Sequence, residues 1–229
     1  MSLYAISDLH LSFDEDKPMD IFGTNWENHQ EKIRENWKKT VKENDVVLLP
    51  GDFCWSMYLQ DTYKAFNYLE TLPGKKLLLK GNHDYWWTTA TKARSFFEKN
   101  DIKTIDVLHN SSFAYGGVSI CGTRGWFYEE SKGVEHDKKI MNREIMRLEA
   151  SLKAAKTDEI YVFLHYPPKY INYTCPEILE LLQKYNVKRC CYGHIHGAGC
   201  QYAFNGILSG TDFMLVSADH VKFKPVKLI

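Results

Sequence analysis

The run Asp45 to Pro50, DVVLLP, is apolar at every position after its first and stops at Gly51-Asp52. A strand with one wet face alternates in polarity; a strand apolar throughout must be covered on both faces, as in a parallel sheet lying between other layers. The flanking chain repeats the arrangement, with a shorter apolar run from Leu3 to Ser7 upstream and KKLLLK, from Lys75, downstream. Between these runs, apolar residues recur at helical spacing: Trp26, Ile33, Trp37 and Val41, with His29, over Asn25 to Lys42, and Tyr63, Phe66 and Leu69 over Asp61 to Leu72. Pro73-Gly74 ends the second of these. The order β-α-β-α-β predicts a layered α/β architecture.

The second half is mixed. Helix signals return at Trp86 to Asn100, Asp137 to Lys156 and Pro176 to Tyr185, the last opened by a proline suited to a first turn. IKTIDVLH, FAYGGVSICG, EIYVFLHYPP and RCCYGHIHG read as strands, and the partial alternation of HVKFKPVKL in the tail suggests an antiparallel or edge strand. With 229 residues, 44% hydrophobic, the chain can bury the core of one domain over residues 1–229. Lys plus Arg and Asp plus Glu are 29 each, so bulk charge points to neither nucleic acid nor an anionic membrane as partner. No apolar stretch reaches the roughly 18 residues that span a bilayer, and the six cysteines form no CxxC pair, so the expectation is a cytoplasmic protein with reduced thiols.

In α/β folds ligands gather beyond the carboxyl ends of the strands, and here those ends carry chemistry. SDLHLS brings Asp8 and His10, LPGDFCW brings Asp52, KGNHDYWW brings Asn82, His83 and Asp84, VFLHYPP brings His165, and CYGHIHG brings His194 and His196. Residues two apart in an extended segment project to one side, so Asp8 with His10, and His194 with His196, can share a site while Leu9 and Ile195 face the core. Such a set of carboxylates, imidazoles and an amide exceeds what one tetrahedral zinc needs and mixes nitrogen with hard oxygen donors, which fits two metals better than one. Paired ions can lower the pKa of a shared water and stabilise in-line displacement at phosphorus, so the chemistry implied is phosphate-ester hydrolysis.

The ordered set D-x-H, G-D, G-N-H-D, H and G-H-x-H, here Asp8 to His10, Gly51-Asp52, Gly81 to Asp84, His165 and Gly193 to His196, resembles the calcineurin-like metallophosphoesterase superfamily. The resemblance implies a two-sheet β sandwich flanked by helices, with the site at the strand C-terminal ends. It implies one ion held by Asp8, His10 and His196, another by Asn82, His165 and His194, and Asp52 bridging both, the metals being Mn, Fe or Zn. His83 would give a proton to the leaving oxygen or stabilise phosphoryl charge, and Asp84 would orient its ring.

The pattern departs from the protein phosphatases of this superfamily, whose second motif continues as GDxVDRG; here it reads GDFCWSM and lacks that arginine. Arg124, in CGTRGW, is either a replacement able to grip phosphate in a bidentate way or an exposed hairpin residue. Trp55, Tyr85, Trp86, Trp87 and Trp126 are either a stacking wall for a nucleobase or aryl ester, or packing for the sheet. His29, His109, His136 and His220 carry no motif context. The leading expectation is a binuclear phosphoesterase acting by attack of a metal-bridging hydroxide on a small phosphodiester or phosphomonoester, nucleotide-like by preference. The alternatives are a catalytically silent scaffold of the same fold and a protein with one structural zinc.

Overall fold

A computed structural model describes residues 1–13, 17–127 and 134–229. The first sheet contains β1 (Leu3–Ala5), β2 (Val46–Pro50), β3 (Lys75–Leu79) and β4 (Ile105–Val107), all parallel, with β13 (Val226–Lys227) antiparallel against β1. In the second, β6 (Val118–Thr123), β7 (Glu159–Leu164), β10 (Arg189–Tyr192) and β12 (Thr211–Leu215) run parallel. Its antiparallel edges are β5 (Phe113–Tyr115) and β11 (Gly206–Leu208). A small hairpin, β8 (Lys169–Tyr170) with β9 (Tyr173–Thr174), stands apart.

The two sheets face each other, and alternate residues of each strand explain why DVVLLP is apolar throughout. Val46 and Leu48 of β2 meet Phe163 of β7 and Cys191 of β10 in the layer between the sheets. Val47 and Leu49 point the other way, onto α1 (His29–Thr40), α2 (Tyr63–Glu70) and α3 (Ala90–Lys99), through Ile33, Trp37, Phe66 and Phe97. Beyond the second sheet, Val162, Leu164 and Cys190 pack on Leu148 and Leu152 of α4 (Val134–Lys153) and on Ile178 and Leu182 of α5 (Pro176–Lys184). This is the expected two-sheet sandwich flanked by helices, each fully buried Leu or Phe contributing about 1.5–3 kcal/mol of burial free energy. The six cysteines are free thiols.

Several boundaries differ from the sequence expectation. The strand expected to reach Ser7 ends at Ala5, because Ser7 turns its N–H to Val216 of the other sheet at 2.9 Å and so joins the two layers. The helix expected from Trp86 begins at Ala90, capped by the Thr89 side chain accepting from the Lys92 N–H at 3.2 Å. In the tail, HVKFKPVKL takes the antiparallel edge position expected of it, but only over its last residues, with Val226–Lys227 paired to β1 and the Leu228 N–H on the Leu3 carbonyl at 2.7 Å; the hairpin β11–β12 upstream turns through Ser209 and Gly210 at φ 51° and 86°.

Candidate metal centre

Four of the proposed donors occupy left-handed backbone: Asp8 (φ 58°), His10 (φ 45°), Asp52 (φ 53°) and His194 (φ 72°). Each such non-glycine residue costs on the order of 1–3 kcal/mol, and such strain clusters where function requires it. Asp8 and His10 therefore converge through a turn rather than by strand alternation, although Leu9 is buried in the core as expected. The first two exit loops run side by side, with the Asp8 N–H on the Gly51 carbonyl at 3.0 Å and the His10 N–H on the Asp52 carbonyl at 3.1 Å. Close approach explains two motif glycines: a Cβ at Gly81 would overlap the Asp52 carboxylate, and one at Gly193 would overlap Asp8 and Ser7.

Asp8 is fully buried. Its Oδ2 accepts from the Ser7 hydroxyl and, at 3.1 Å each, from the Ser217 hydroxyl and the His194 N–H. Its Oδ1 faces His196 Nε2 at 3.3 Å and His165 Nδ1 at 3.9 Å. Donor atoms of Asp8, His10 and His196 lie within 4.8 Å of one another, as do those of Asp8, Asp52 and His165. Asn82 Oδ1 adjoins the second group, 2.6 Å from His165 Nε2 and 3.0 Å from His194 Nδ1. Asp8 thus takes part in both groups, a position the resemblance gave to Asp52 alone.

The protonation pattern tests whether these residues suit a cation. Burial holds the His165 imidazole down at about 3, so its ring is neutral. Its Nδ1 meets the Pro50 carbonyl at 3.0 Å, an acceptor, which assigns the single proton to Nδ1. Nε2 then turns a lone pair toward the amide oxygen of Asn82 at 2.6 Å and a carboxylate oxygen of Asp52 at 3.5 Å. An imidazole lone pair and an amide oxygen facing each other without a proton between them is an arrangement that a cation relieves. His10 is alike: burial keeps its ring neutral, and its buried Nδ1 has no hydrogen-bond partner among the described residues. Burial, and after it the charges of Asp8 and Asp84, raises the Asp52 carboxyl. Burial also opposes ionisation of Asp8, yet His196, foremost of its histidine neighbours, holds that carboxyl well below the usual range. A metal set into these donors fits the chemistry present.

Sequence reasoning missed the outer supports. Asp219 Oδ1 lies 2.9 Å from His196 Nδ1 while its Oδ2 accepts the Gly197 N–H at 2.8 Å. Burial lowers the His196 pKa, but Asp8 and Asp219 overcome it and push the ring up to about 10. His29, which carries no motif context, is buried and meets the His10 carbonyl through Nε2 at 3.3 Å. Asp219 precedes His220 in the tail without motif spacing; the serines beside Asp8 carried no signal either.

His83 stands on the rim. Its N–H donates to Asp52 Oδ1 at 2.8 Å, and its ring lies 4.7 Å from that of Trp55, which stacks on His10 at 4.8 Å. Burial lowers the His83 pKa. The expectation that Asp84 orients the His83 ring is corrected: the buried Asp84 carboxylate accepts from the backbone N–H groups of Gly81, Asp52 and Phe53 and from the Trp86 indole, and the hydroxyl of Tyr85, 3.3 Å away, meets His83 Nδ1 instead. The chain direction after Asn82 sends the next carboxylate under the loop. Trp86 and Trp87 pack in the core, and the aromatic wall comes from elsewhere: Trp26 and Trp55, with Met19 and Phe22, line a pocket of about 250 Å³ that opens on His10, His83 and His196. The Arg124 side chain contacts none of these donors; its guanidinium lies over Trp126 at 4.8 Å and 3.7 Å from buried Glu144.

Comparison with known proteins agrees with this geometry. The profile of the calcineurin-like phosphoesterase family matches residues 1–198. A search of curated protein sequences gives no significant match. Among solved structures, the chain is similar to a protein of unknown function, AQ665, from Aquifex aeolicus, at 19% identity and TM-score 0.53, over 99% of this chain and 95% of that one. It is similar to the phosphopantetheinyl hydrolase of Mycobacterium tuberculosis, at 14% identity and TM-score 0.56, over 100% and 95%. A third, TT1561 of Thermus thermophilus, has 13% identity and TM-score 0.56, over 99% and 97%. These likenesses are of fold. The profile match over most of the chain, on a fold that gathers buried carboxylates and imidazoles at its strand ends, identifies this protein as a member of the calcineurin-like phosphoesterase family.

Proposed function

We propose that the protein is a binuclear metal-dependent phosphoesterase hydrolysing a small phosphodiester or phosphomonoester, nucleotide-like by preference. The observation that carries this reading is the confrontation of unprotonated His165 Nε2 with Asn82 Oδ1 at 2.6 Å, beside a carboxylate set that includes Asp8 and Asp52. Asp8, His10 and His196 would hold one ion, Asn82, His165 and His194 the other, and Asp52, with Asp8 close to both, would lie between them. Bound there, Mn, Fe or Zn supplies Lewis acidity and an ionised water for displacement at phosphorus. The protein's own residues do the rest. Ser7 and Ser217 fix Asp8 Oδ2, the His194 N–H bridges both carboxylate oxygens at 3.1 Å, and Oδ1 faces His196. His83, on the rim beside the Trp55 wall, would give a proton to the departing oxygen, a reading supported by the pocket of Met19, Phe22 and Trp26 next to it, which suits an apolar leaving group.

The reading treats residues 1–229 as one domain, supported by the pairing of β13 with β1, and a reducing compartment, supported by six free thiols. Among the described residues no helix is long and apolar enough to cross a membrane. The test is elemental analysis after reconstitution, together with hydrolysis of 4-nitrophenyl phosphate and bis(4-nitrophenyl) phosphate with Mn added. Two ions per chain and turnover abolished by Asp52→Asn are expected; one ion, or none, with no turnover of either ester overturns the reading.

A further inference from the structure

A second cavity, of about 360 Å³, lies beside the donor cluster where the two sheets part at the ends of β3, β4 and β6. Its wall is cationic. Lys80, Arg124, Arg143 and Arg147 line it, and among its described lining residues Glu144 is the sole carboxylate. That carboxylate is buried and already engaged, with the Thr123 hydroxyl at 2.5 Å, Arg147 Nη1 at 2.6 Å and Arg124 Nη2 at 3.7 Å. One negative charge thus fixes two guanidinium groups without neutralising the wall. The Nε of Arg124 is buried and has no hydrogen-bond partner among the described residues. A guanidinium so held by one edge, with a donor left over, is prepared for an oxyanion. Neutral donors, the hydroxyls of Thr88 and Thr89 and the amide of Asn110, complete the lining.

The cavity is tied to the reaction centre by the backbone. The Arg124 carbonyl accepts the N–H groups of His165 at 3.0 Å and Tyr166 at 2.9 Å, and Lys80 stands two residues before Asn82. It therefore flanks the Asn82 and His165 side of the centre, whereas the apolar pocket flanks the side of His10, His83 and His196.

We infer that this cavity is a subsite for a second phosphate or diphosphate group of the substrate, so that the preferred ester carries an additional phosphoryl group on the side of the scissile phosphorus opposite the apolar pocket. This rests on the proposed phosphoesterase activity for its meaning, but anion binding in the cavity stands independently of it. The volume accommodates a diphosphate, and four cations around it attract one by charge while Arg124 fixes its orientation.

The experiment has two arms. Metal-free protein is titrated calorimetrically with tripolyphosphate, as wild type and as the R143Q/R147Q variant, with R143Q alone as a second variant because Arg143 is exposed and its change leaves the Glu144 contacts in place. Saturable binding to the wild type, weakened at least tenfold in the double variant and severalfold in R143Q, is expected. Absence of binding to the wild type, or equal affinity in R143Q and the double variant to that of wild type, overturns the inference. In the second arm the metal-loaded proteins are assayed for the ratio of kcat/KM on adenosine 3′,5′-bisphosphate to that on 4-nitrophenyl phosphate. A tenfold fall of this ratio in the double variant is expected, and an unchanged ratio overturns the assignment of the cavity to substrate. Should neither ester turn over, the phosphoesterase reading fails and the calorimetry decides the cavity alone.

Discussion

Asp84 Oδ2 accepts the backbone N–H of Asp52 at 2.9 Å, so the loop leaving the third strand holds the loop leaving the second. The same carboxylate takes the Gly81 and Phe53 N–H groups and the Trp86 indole, and burial raises its pKa against the pull of these donors. Asp84→Asn keeps the shape but turns an NH₂ group toward backbone N–H groups. We expect a loss of about 3–5 kcal/mol of stability, as for breaking a buried charge network, read as a lower urea midpoint with metal content falling in parallel.

His83 offers the opposite outcome. Its ring stands on the rim, half-buried, and its removal leaves the backbone bond to Asp52 intact. His83→Ala should lower kcat by about 10²–10⁴-fold, the usual worth of a positioned acid, while urea midpoint and metal content stay near wild type. Loss of stability comparable to that of Asp84→Asn would refute the role given to His83.

Metal should act as a ligand of the folded state. Saturation at a hundredfold excess over Kd contributes about 2.7 kcal/mol, which for a chain of this length raises Tm by roughly 5–10 °C. Asn82→Ala removes the oxygen facing His165 and His194 and should reduce both the thermal shift and the number of ions bound. A thermal shift with Mn that is the same in Asn82→Ala and wild type would contradict the placing of a metal there.

The pH dependence of metal binding follows from His196. With Asp8 and Asp219 beside it, the metal-free ring keeps its proton up to about pH 10, and a metal must displace that proton. Apparent affinity should therefore rise with pH, by close to tenfold per unit for one proton released, and level off near 10. Asp219→Asn removes one of the two carboxylates that retain the proton and also the group that orients the ring, so the slope should end at a lower pH while affinity at the plateau falls by about 10–100-fold. Titration calorimetry in buffers of different ionisation enthalpy counts the proton directly.

Trp55 stacks on His10 and lines the apolar pocket. Trp55→Ala should raise KM for aryl esters about tenfold, equivalent to roughly 1.4 kcal/mol of lost contact, and change KM for methyl esters far less. Equal effects on both would show that the wall supports the histidine without touching substrate.

What could be read in the sequence was the set of strand exits, because each follows an apolar run whose burial on two faces fixes the layer and hence the end at which the chain emerges. Asp8, Asp52, Asn82, His165, His194 and His196 were named on that ground, and the structure brings them together. The resemblance gives Asp84 the task of orienting His83, whereas the turn after Asn82 carries its carboxylate under the loop, onto the N–H groups of Gly81, Asp52 and Phe53. Asp219, Ser7 and Ser217 were invisible because their contribution depends on how the second sheet lies against the first, a relation carried by no spacing. Trp55, Trp86 and Trp87 all sit near motifs, and only packing separates Trp55, which lines the pocket with Trp26, from the other two, which are buried in the core.

Besides the adjacent Ser7 hydroxyl, the groups that bond the Asp8 carboxylate are the His194 N–H and the Ser217 hydroxyl, 186 and 209 residues away along the chain. During synthesis at about 5–20 residues per second, the first strand waits on the order of ten to forty seconds before the residues that shape its carboxylate leave the ribosome. The first sheet and its helices can form in that interval, but the ion-binding pocket cannot close. A metal taken up by these donors would therefore load after translation, from the metal pool of the compartment in which the last strands dock.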